Sequence, residues 1–199
     1  MDAEELRRQI RNPGCQDCLL HEEAKTVCLI GDGPVPCDVM LIGEAPGACE
    51  DEKGRPFVGE SGERLNQALE QVGLPRNGIF VTNMAKCRPP ENRPPKKEEI
   101  RACRKYLDGE LSEVKPRFIL LLGATALHLL AMWRVPHSRG VVGKNRGCVF
   151  DHNGSRVMVT FHPAAPGRRR RSMFQADIEA FARLVRGGPP DPGTECPTP

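Results

Sequence analysis

A chain of 199 residues with 39% hydrophobic and 28% charged residues is long enough for one domain with a substantial core and too short for two large ones. No stretch approaches the roughly 18 consecutive apolar residues of a membrane span, and the amino end MDAEE opens on acids where a secretory signal would carry positive charge, so a cytoplasmic protein, or in a nucleated cell a nuclear or organellar one, is expected. The net charge of +3 selects no partner by itself, and nine cysteines, an odd number in a reducing compartment, point to metal ligation and inert burial rather than a disulfide scaffold.

In chain order, the first feature is the C-x2-C pair Cys15 and Cys18. Residues 19–36 read as an irregular excursion or a small hairpin leading to an apolar strand, DVMLIG at 38–43. A glycine-rich polar loop follows, GEAPGACED at 43–51, continuing through GRPFVG at 54–59. Leu65, Ala68, Leu69 and Val72 then mark one face of a helix. A second strand, IFVTN at 79–83, runs into the loop NMAKCRPP at 83–90.

After Pro94 and Pro95 a helix is expected, with Glu98 and Glu99 in its first turn and a stripe of Ile100, Cys103, Leu107 and Leu111. FILLLG at 118–123 reads as a third strand, 125–133 as a helix, and VMVTFH at 157–162 as a fourth strand ending on His162. The last helix is expected to start at Ser172 as N-cap, with Gln175 in the capping-box position and Ile178, Phe181, Ala182 and Val185 on one face. Strands alternating with helices give an α/β fold with a mainly parallel sheet covered on both faces and a ligand crevice outside the carboxyl ends of the strands. One domain is expected over 1–186, followed by a proline- and glycine-rich tail, GGPPDPGTECPTP at 187–199, read as disordered, which removes Cys196 from any metal site.

Two constellations carry chemistry. Cys15, Cys18, Cys87 and Cys103 form a four-thiolate set that accepts zinc or an iron–sulfur cluster on ligand type alone, with Cys28, Cys37 and Cys49 as competing ligands. The run Arg168, Arg169, Arg170 and Arg171, with Arg134, Arg139, Lys144 and Arg146 upstream, makes a basic field that attracts phosphates, or a solvated surface loop.

The motifs GEAPGACED, GRPFVG, TNMAKCRPP at 82–90 and the pair His162-Pro163, taken in this order, resemble the signatures of the family 4 uracil-DNA glycosylases, the iron–sulfur branch of that superfamily, over nearly the whole chain. The resemblance implies a three-layer α/β/α fold with a four-stranded, mainly parallel sheet, a [4Fe-4S] cluster of structural role on the four cysteines, and hydrolysis of the N-glycosidic bond of deoxyuridine in DNA to leave an abasic site. It implies that Phe57 stacks on the extruded base and that Asn83 reads its edge, donating to O4 and accepting from N3–H. His162 would donate to O2 and support the charge growing on the departing base. Gly43, Ala45 and Gly47 belong to the loop that walls the base.

Other uracil glycosylases carry an aspartate where this chain has Ala45, so Glu44 and Glu50, with Asp51 behind them, are the candidates to orient water or stabilise the sugar cation. Arg168 to Arg171 would hold phosphates. After His162-Pro163 the chain reads AAPGRRRR and lacks the bulky apolar wedge of the family, so on single- and double-stranded DNA either duplex flipping is weaker and the single strand preferred, or an arginine fills the gap while the others hold phosphates. Competing readings are a covalent uracil-DNA-binding relative, which would need a basic insertion and a nucleophilic histidine absent from CRPPENRPP at 87–95, a noncatalytic nucleic-acid-binding module, and a hydrolase of free nucleotides. The expected partners are uracil-containing DNA and a replication or repair protein, with the chain itself a monomer.

Overall fold

Residues at alternating positions of the central strands bury toward opposite sides, and each side meets a different pair of helices. The computed structural model describes residues 5, 8, 10–136, 138 and 140–188. Among these, β1 (Val39–Gly43), β2 (Phe80–Asn83), β3 (Phe118–Leu122), β4 (Val149–His152) and β5 (Ser155–Thr160) form one sheet in the order β2-β1-β3-β5-β4. The helices are α1 (Ala48–Lys53), α2 (Glu60–Gln71), α3 (Lys97–Val114), α4 (Gly123–Met132), α5 (Val142–Asn145) and α6 (Arg168–Val185).

On one face Met40, Ile42, Ile119, Leu121, Val157 and Val159 pack with Ile100 and Leu107 of α3 and Leu127 and Leu130 of α4. On the other, Leu41, Val81, Leu120, Leu122 and Met158 pack with Leu65 and Leu69 of α2 and Ile178 and Phe181 of α6. The three-layer α/β/α arrangement follows from strands that are apolar on both faces and therefore need covering twice.

β1, β2, β3 and β5 are parallel. The chain leaves β1 for β2 on one side and then crosses to β3 on the other, so the strand order reverses between β1 and β3 and opens a crevice at their carboxyl ends. Gly43 pairs with Asn83 across the ends of β1 and β2. The free edge of β2 is covered by Asp32, which exchanges both main-chain hydrogen bonds with Val81 at 2.9 Å.

Three expectations need correction. The sheet has five strands, because β4 pairs antiparallel with β5 through an Asn153-Gly154 turn in which both residues take positive φ (47° and 82°). Asn-Gly is the strongest short hairpin signal; β4 itself, VFDH, is a mixed edge strand whose pattern gives no continuous apolar run. β5 ends at Thr160, so His162 lies two residues beyond the strand.

The last helix starts five residues earlier than expected, at Arg168 with Gly167 rather than Ser172 as its N-cap, at φ 92°. Arginine is a good helix former, so the helix extends back to the glycine, and Ser172 lies inside it. Gln175 bonds Glu179 at 3.4 Å instead of closing a capping box. At the other end Gly187 and Gly188 cap α6 by donating to Leu184 and Arg183 at 3.1 and 2.9 Å. The remainder of the expected tail, with Cys196, and Arg139 lie outside the described residues. No described helix is long and apolar enough to cross a membrane.

Candidate active site

The carboxyl ends of β1 and β2 and the loop after β5 enclose a cleft of 340 Å³. Its walls bring together Glu44, Ala45, Gly47, Glu50, Phe57, Asn83 and His162, residues spread over more than half the sequence. A larger cleft of 680 Å³ sits at the opposite, amino ends of β3 and β5, where Trp133 stacks on His152; it collects none of the motif residues.

Gly43 forms the floor. A Cβ there would stand 2.5 Å from Cζ of Phe57 and 2.6 Å from Oδ1 of Asn83, so only a hydrogen lets ring and carboxamide close over the end of β1. Phe57, 6% exposed, takes φ 55°, and Gly62 of α2 admits its main chain: a Cβ at Gly62 would lie 1.9 Å from the Phe57 carbonyl oxygen. The Phe57 and His162 rings face the same space with centroids 6.4 Å apart and a tilt of 31°. Asn83 is 3% exposed, and its carboxamide makes no hydrogen bond with any described residue, leaving its donor and acceptor to the cleft.

His162 is half-buried, and burial pushes its pKa below the ordinary 6.5 against the opposing pull of Glu44 and Glu50. The ring is therefore neutral near pH 7. Its Nδ1 stands 3.2 Å from the main-chain N–H of Ala164 and accepts from it, which puts the ring proton on Nε2. The strand end behind it is anchored by Thr160, whose hydroxyl donates to Asp177 at 2.7 Å, and Asp177 is held in turn by Arg146.

The three acidic candidates differ in what they already bind. Glu50 accepts main-chain N–H bonds from Gly47 (3.1 Å), Val58 (3.0 Å) and Gly59 (2.9 Å), tying the start of α1 to the loop that presents Phe57. Asp51 accepts from the N–H groups of Thr26 (2.8 Å) and Lys25 (3.2 Å) and lies away from the cleft. Glu44 receives the hydroxyl of Thr125 from the first turn of α4 and otherwise faces the cleft.

Residues 30–186 match the family model of the uracil DNA glycosylase superfamily. The chain is 41% identical over 186 residues to a type-4 uracil-DNA glycosylase of Pyrobaculum aerophilum, an alignment covering 91% of this chain and 93% of that protein. A type-5 enzyme of the same organism matches at 29% over 176 residues, covering 81% of this chain and 75% of that one. The chain belongs to the type-4 uracil-DNA glycosylases. A further type-4 relative, from Thermotoga maritima, is 37% identical over 177 residues, with 86% of this chain and 90% of that protein covered.

In this type-4 chain Cys15, Cys87 and Cys103 are buried and Cys18 half-buried, on three separate segments. Cys18, Cys87 and Cys103 pack with Leu20 and Ala85, and Cys15 packs beside them with Cys28 and Tyr106. Main-chain N–H groups point at two of the sulfurs: Cys28 donates to Cys87 Sγ at 3.3 Å and Lys86 to Cys103 Sγ at 3.4 Å. Burial pushes the thiols of Cys87 and Cys103 up, to about 11 and about 12. Among the described residues no three Cys, His, Asp or Glu side chains converge tightly enough for a single metal ion. Of the competing cysteines, Cys37 points at the carbonyls of Val39 and Gly78 and Cys49 at that of Val58, whereas Cys28 stands within the group.

Ser61, Pro89, Asn92, Arg93 and Ala164 also line the cleft, and sequence reasoning passes over all five. Asn92 enters it because Glu91 and Asn92 both take positive φ (54° and 55°) in the turn after Pro89. Arg93 is held by a two-pronged bond to Glu99, at 2.9 and 2.7 Å. The proline pairs around these residues, Pro89-Pro90 and Pro94-Pro95, are the sequence feature that restricts the backbone of this loop. Arg168 to Arg171 are exposed, and Arg170, over the ring of Phe161 at 5.8 Å, lines a second cleft that shares His162.

Proposed function

We propose that this protein hydrolyses the N-glycosidic bond of deoxyuridine in DNA, releasing uracil and leaving an abasic site for base excision repair. The observation that carries the reading is the convergence of an unengaged Asn83 carboxamide, a neutral histidine with its proton on Nε2 and the Phe57 ring on one cleft.

In the proposed sequence the extruded uracil lies against Phe57. The Asn83 amide donates to O4 and its carbonyl accepts from N3–H, a pattern that cytosine, with an acceptor at N3 and an amine at C4, cannot meet. Nε2–H of His162 donates to O2 and stabilises the charge on the leaving base without a proton having to be transferred. Glu44, steadied by Thr125, orients the water that attacks the oxocarbenium-like sugar. Glu50, with three main-chain donors on its oxygens, holds the loop carrying Phe57 in place. Gly43, Ala45 and Gly47 let the wall approach the base closely.

Arg168, Arg169, Arg170 and Arg171 hold DNA phosphates. Four cations in the first turn of a helix oppose its dipole, and an anionic partner reverses that penalty. With AAPGRRRR in place of an apolar wedge, single-stranded substrate is favoured over duplex, because less unstacking is required.

Cys15, Cys18, Cys87 and Cys103 would hold a [4Fe-4S] cluster. Four thiolates accept zinc or an iron–sulfur cluster on ligand type alone, and the resemblance to the iron–sulfur branch of the superfamily favours the cluster. When bound, it supplies a covalent staple between the amino-terminal segment, the loop after β2 and α3. A cytoplasmic, monomeric enzyme accords with the sequence.

The test is release of uracil from matched single-stranded and duplex oligonucleotides, with thymine and cytosine controls and an Asn83→Asp variant alongside. Uracil-selective release that leaves the phosphodiester backbone intact, and that Asn83→Asp impairs, is expected. No release by protein that still binds DNA would refute the reading.

A further inference from the structure

Beneath the end of β2 lies an ion pair that the proposed reaction does not use. Thr82, Lys86 and Glu110 are each fully buried, at 0% exposure. Lys86 Nζ donates to Glu110 at 2.6 Å, to the Thr82 hydroxyl at 2.6 Å and to the main-chain carbonyl of Asn83 at 2.8 Å, so all three of its protons are used. Glu110 also accepts the Thr82 hydroxyl, at 2.8 Å, and the main-chain N–H of Gly31, at 2.7 Å.

Burying two charges is costly even when they are paired, and well-packed apolar residues commonly fill the same space with no loss of stability. The pair is therefore weak evidence for a role in stability. We propose that Lys86, held by Glu110, is a positioning residue that aims Asn83 at the base and links its main chain to the cysteine subsite.

The Asn83 carboxamide has no hydrogen-bonding partner among the described residues, so its direction is set by packing over Gly43 and by its own main chain. That main chain ends the edge strand β2, and the carbonyl of Asn83 accepts from Lys86 Nζ. While the Lys86 side chain turns back to Asn83, its main chain faces the other way. Its N–H donates to Cys103 Sγ at 3.4 Å, its carbonyl accepts from Leu29 at 2.6 Å, and the next residue is Cys87. One residue thus bridges the base-reading group and two of the four sulfurs. Displacement of the Asn83 carbonyl would rotate the carboxamide away from the uracil edge while leaving the basic DNA-binding surface untouched.

The inference rests on Asn83 being the base reader. Its test compares the native protein with Lys86→Met, with the double variant Lys86→Met/Glu110→Leu and with the milder Thr82→Val, each carrying its full complement of iron. The readouts are melting temperature, iron per chain, and kcat and KM for a uracil-containing single strand. Lys86→Met leaves Glu110 buried without its partner and should melt lower; the double variant removes both charges and should regain melting temperature.

Positioning predicts that kcat in the double variant nevertheless stays about tenfold or more below native while KM changes by no more than about twofold. A smaller fall in kcat is expected for Thr82→Val, which keeps the Lys86–Glu110 pair and removes one of the three bonds that hold Lys86 Nζ. Native kcat in the double variant or in Thr82→Val, or a fall in rate that merely follows loss of iron, would overturn the proposal. If the native protein releases uracil and Asn83→Asp is impaired while these variants are not, the positioning role alone fails; if Asn83→Asp is unimpaired, the reading beneath it fails.

Discussion

Replacing Gly43 by alanine adds one methyl group where the Phe57 ring and the Asn83 carboxamide meet. Gly43 is not among the residues with positive φ, so alanine brings no backbone strain and the whole effect is steric. Its Cβ would stand 2.5 and 3.1 Å from two carbons of the Phe57 ring and 2.6 Å from Asn83 Oδ1. Carbon pairs rest at about 3.5–4.0 Å, so the ring must retreat by about 1 Å or more.

Phe57 has little room to do so. Its carbonyl already lies against Gly62, and Glu50 ties down the N–H groups of Val58 and Gly59. The displacement should fall on Asn83 and on the pairing of β1 with β2. Overpacking of this kind costs about 1–3 kcal/mol, which lowers the melting temperature of a chain this size by about 2–12 °C. A shift of about 1 Å in a group that orients substrate costs about 10²-fold in rate. Single-turnover uracil release and a thermal melt measure both, with Gly78→Ala as control because its Cβ would meet nothing within 4 Å. A Gly43→Ala protein that melts like the native one and releases uracil within about threefold of its rate would refute the packing argument.

Four further outcomes are expected. Asn83→Asp replaces the amide donor to O4 with an acceptor, and uracil release should fall by about 10²-fold or more at unchanged DNA affinity, read by single-turnover kinetics beside a binding titration. The lowered pKa of His162 keeps the ring neutral, so its contribution to stability is complete above pH 6.5 and is lost as pH falls through the depressed value; the release rate should plateau through pH 7–8, His162→Ala should lower that plateau by about 10²–10³-fold, and a histidine-dependent acid limb centred at or above pH 6.5 would contradict the assignment. Glu50→Ala strands three main-chain N–H groups and should cost about 2–4 kcal/mol in denaturant unfolding, with Glu50→Gln intermediate. Changing Arg168 to Arg171 together to alanine should flatten the dependence of log Kd on log salt by about 0.7 for each single-strand phosphate that the arginines had neutralised; an unchanged slope would remove these arginines from the interface.

Local pattern in the sequence determined the fold class, the four parallel strands and the order of the loops. Runs such as FILLL are apolar on both faces and demand two covering layers, and motif loops that follow strands gather at their carboxyl ends whatever the details of packing. The order of the motifs, through the family they resemble, singled out Asn83, His162, Glu44, Glu50 and four cysteines as candidates.

Other properties depend on contacts between segments far apart in the chain, and only the tertiary structure decided them. The different partners of Glu44 and Glu50, a threonine hydroxyl for one and main-chain N–H groups for the other, follow from the folded arrangement, as does the proton on Nε2 of His162 from the direction of the Ala164 N–H. Helix α6 reaches back to Arg168 because Gly167 turns the chain there, and VFDH becomes a strand only against β5. Cys28 resembles its neighbours in sequence, yet folding carries it to the sulfur group and sends Cys37 and Cys49 elsewhere. Lys86 and Glu110 are core residues because each is the other's counterion across 24 positions, a relation that periodicity over neighbouring residues does not encode.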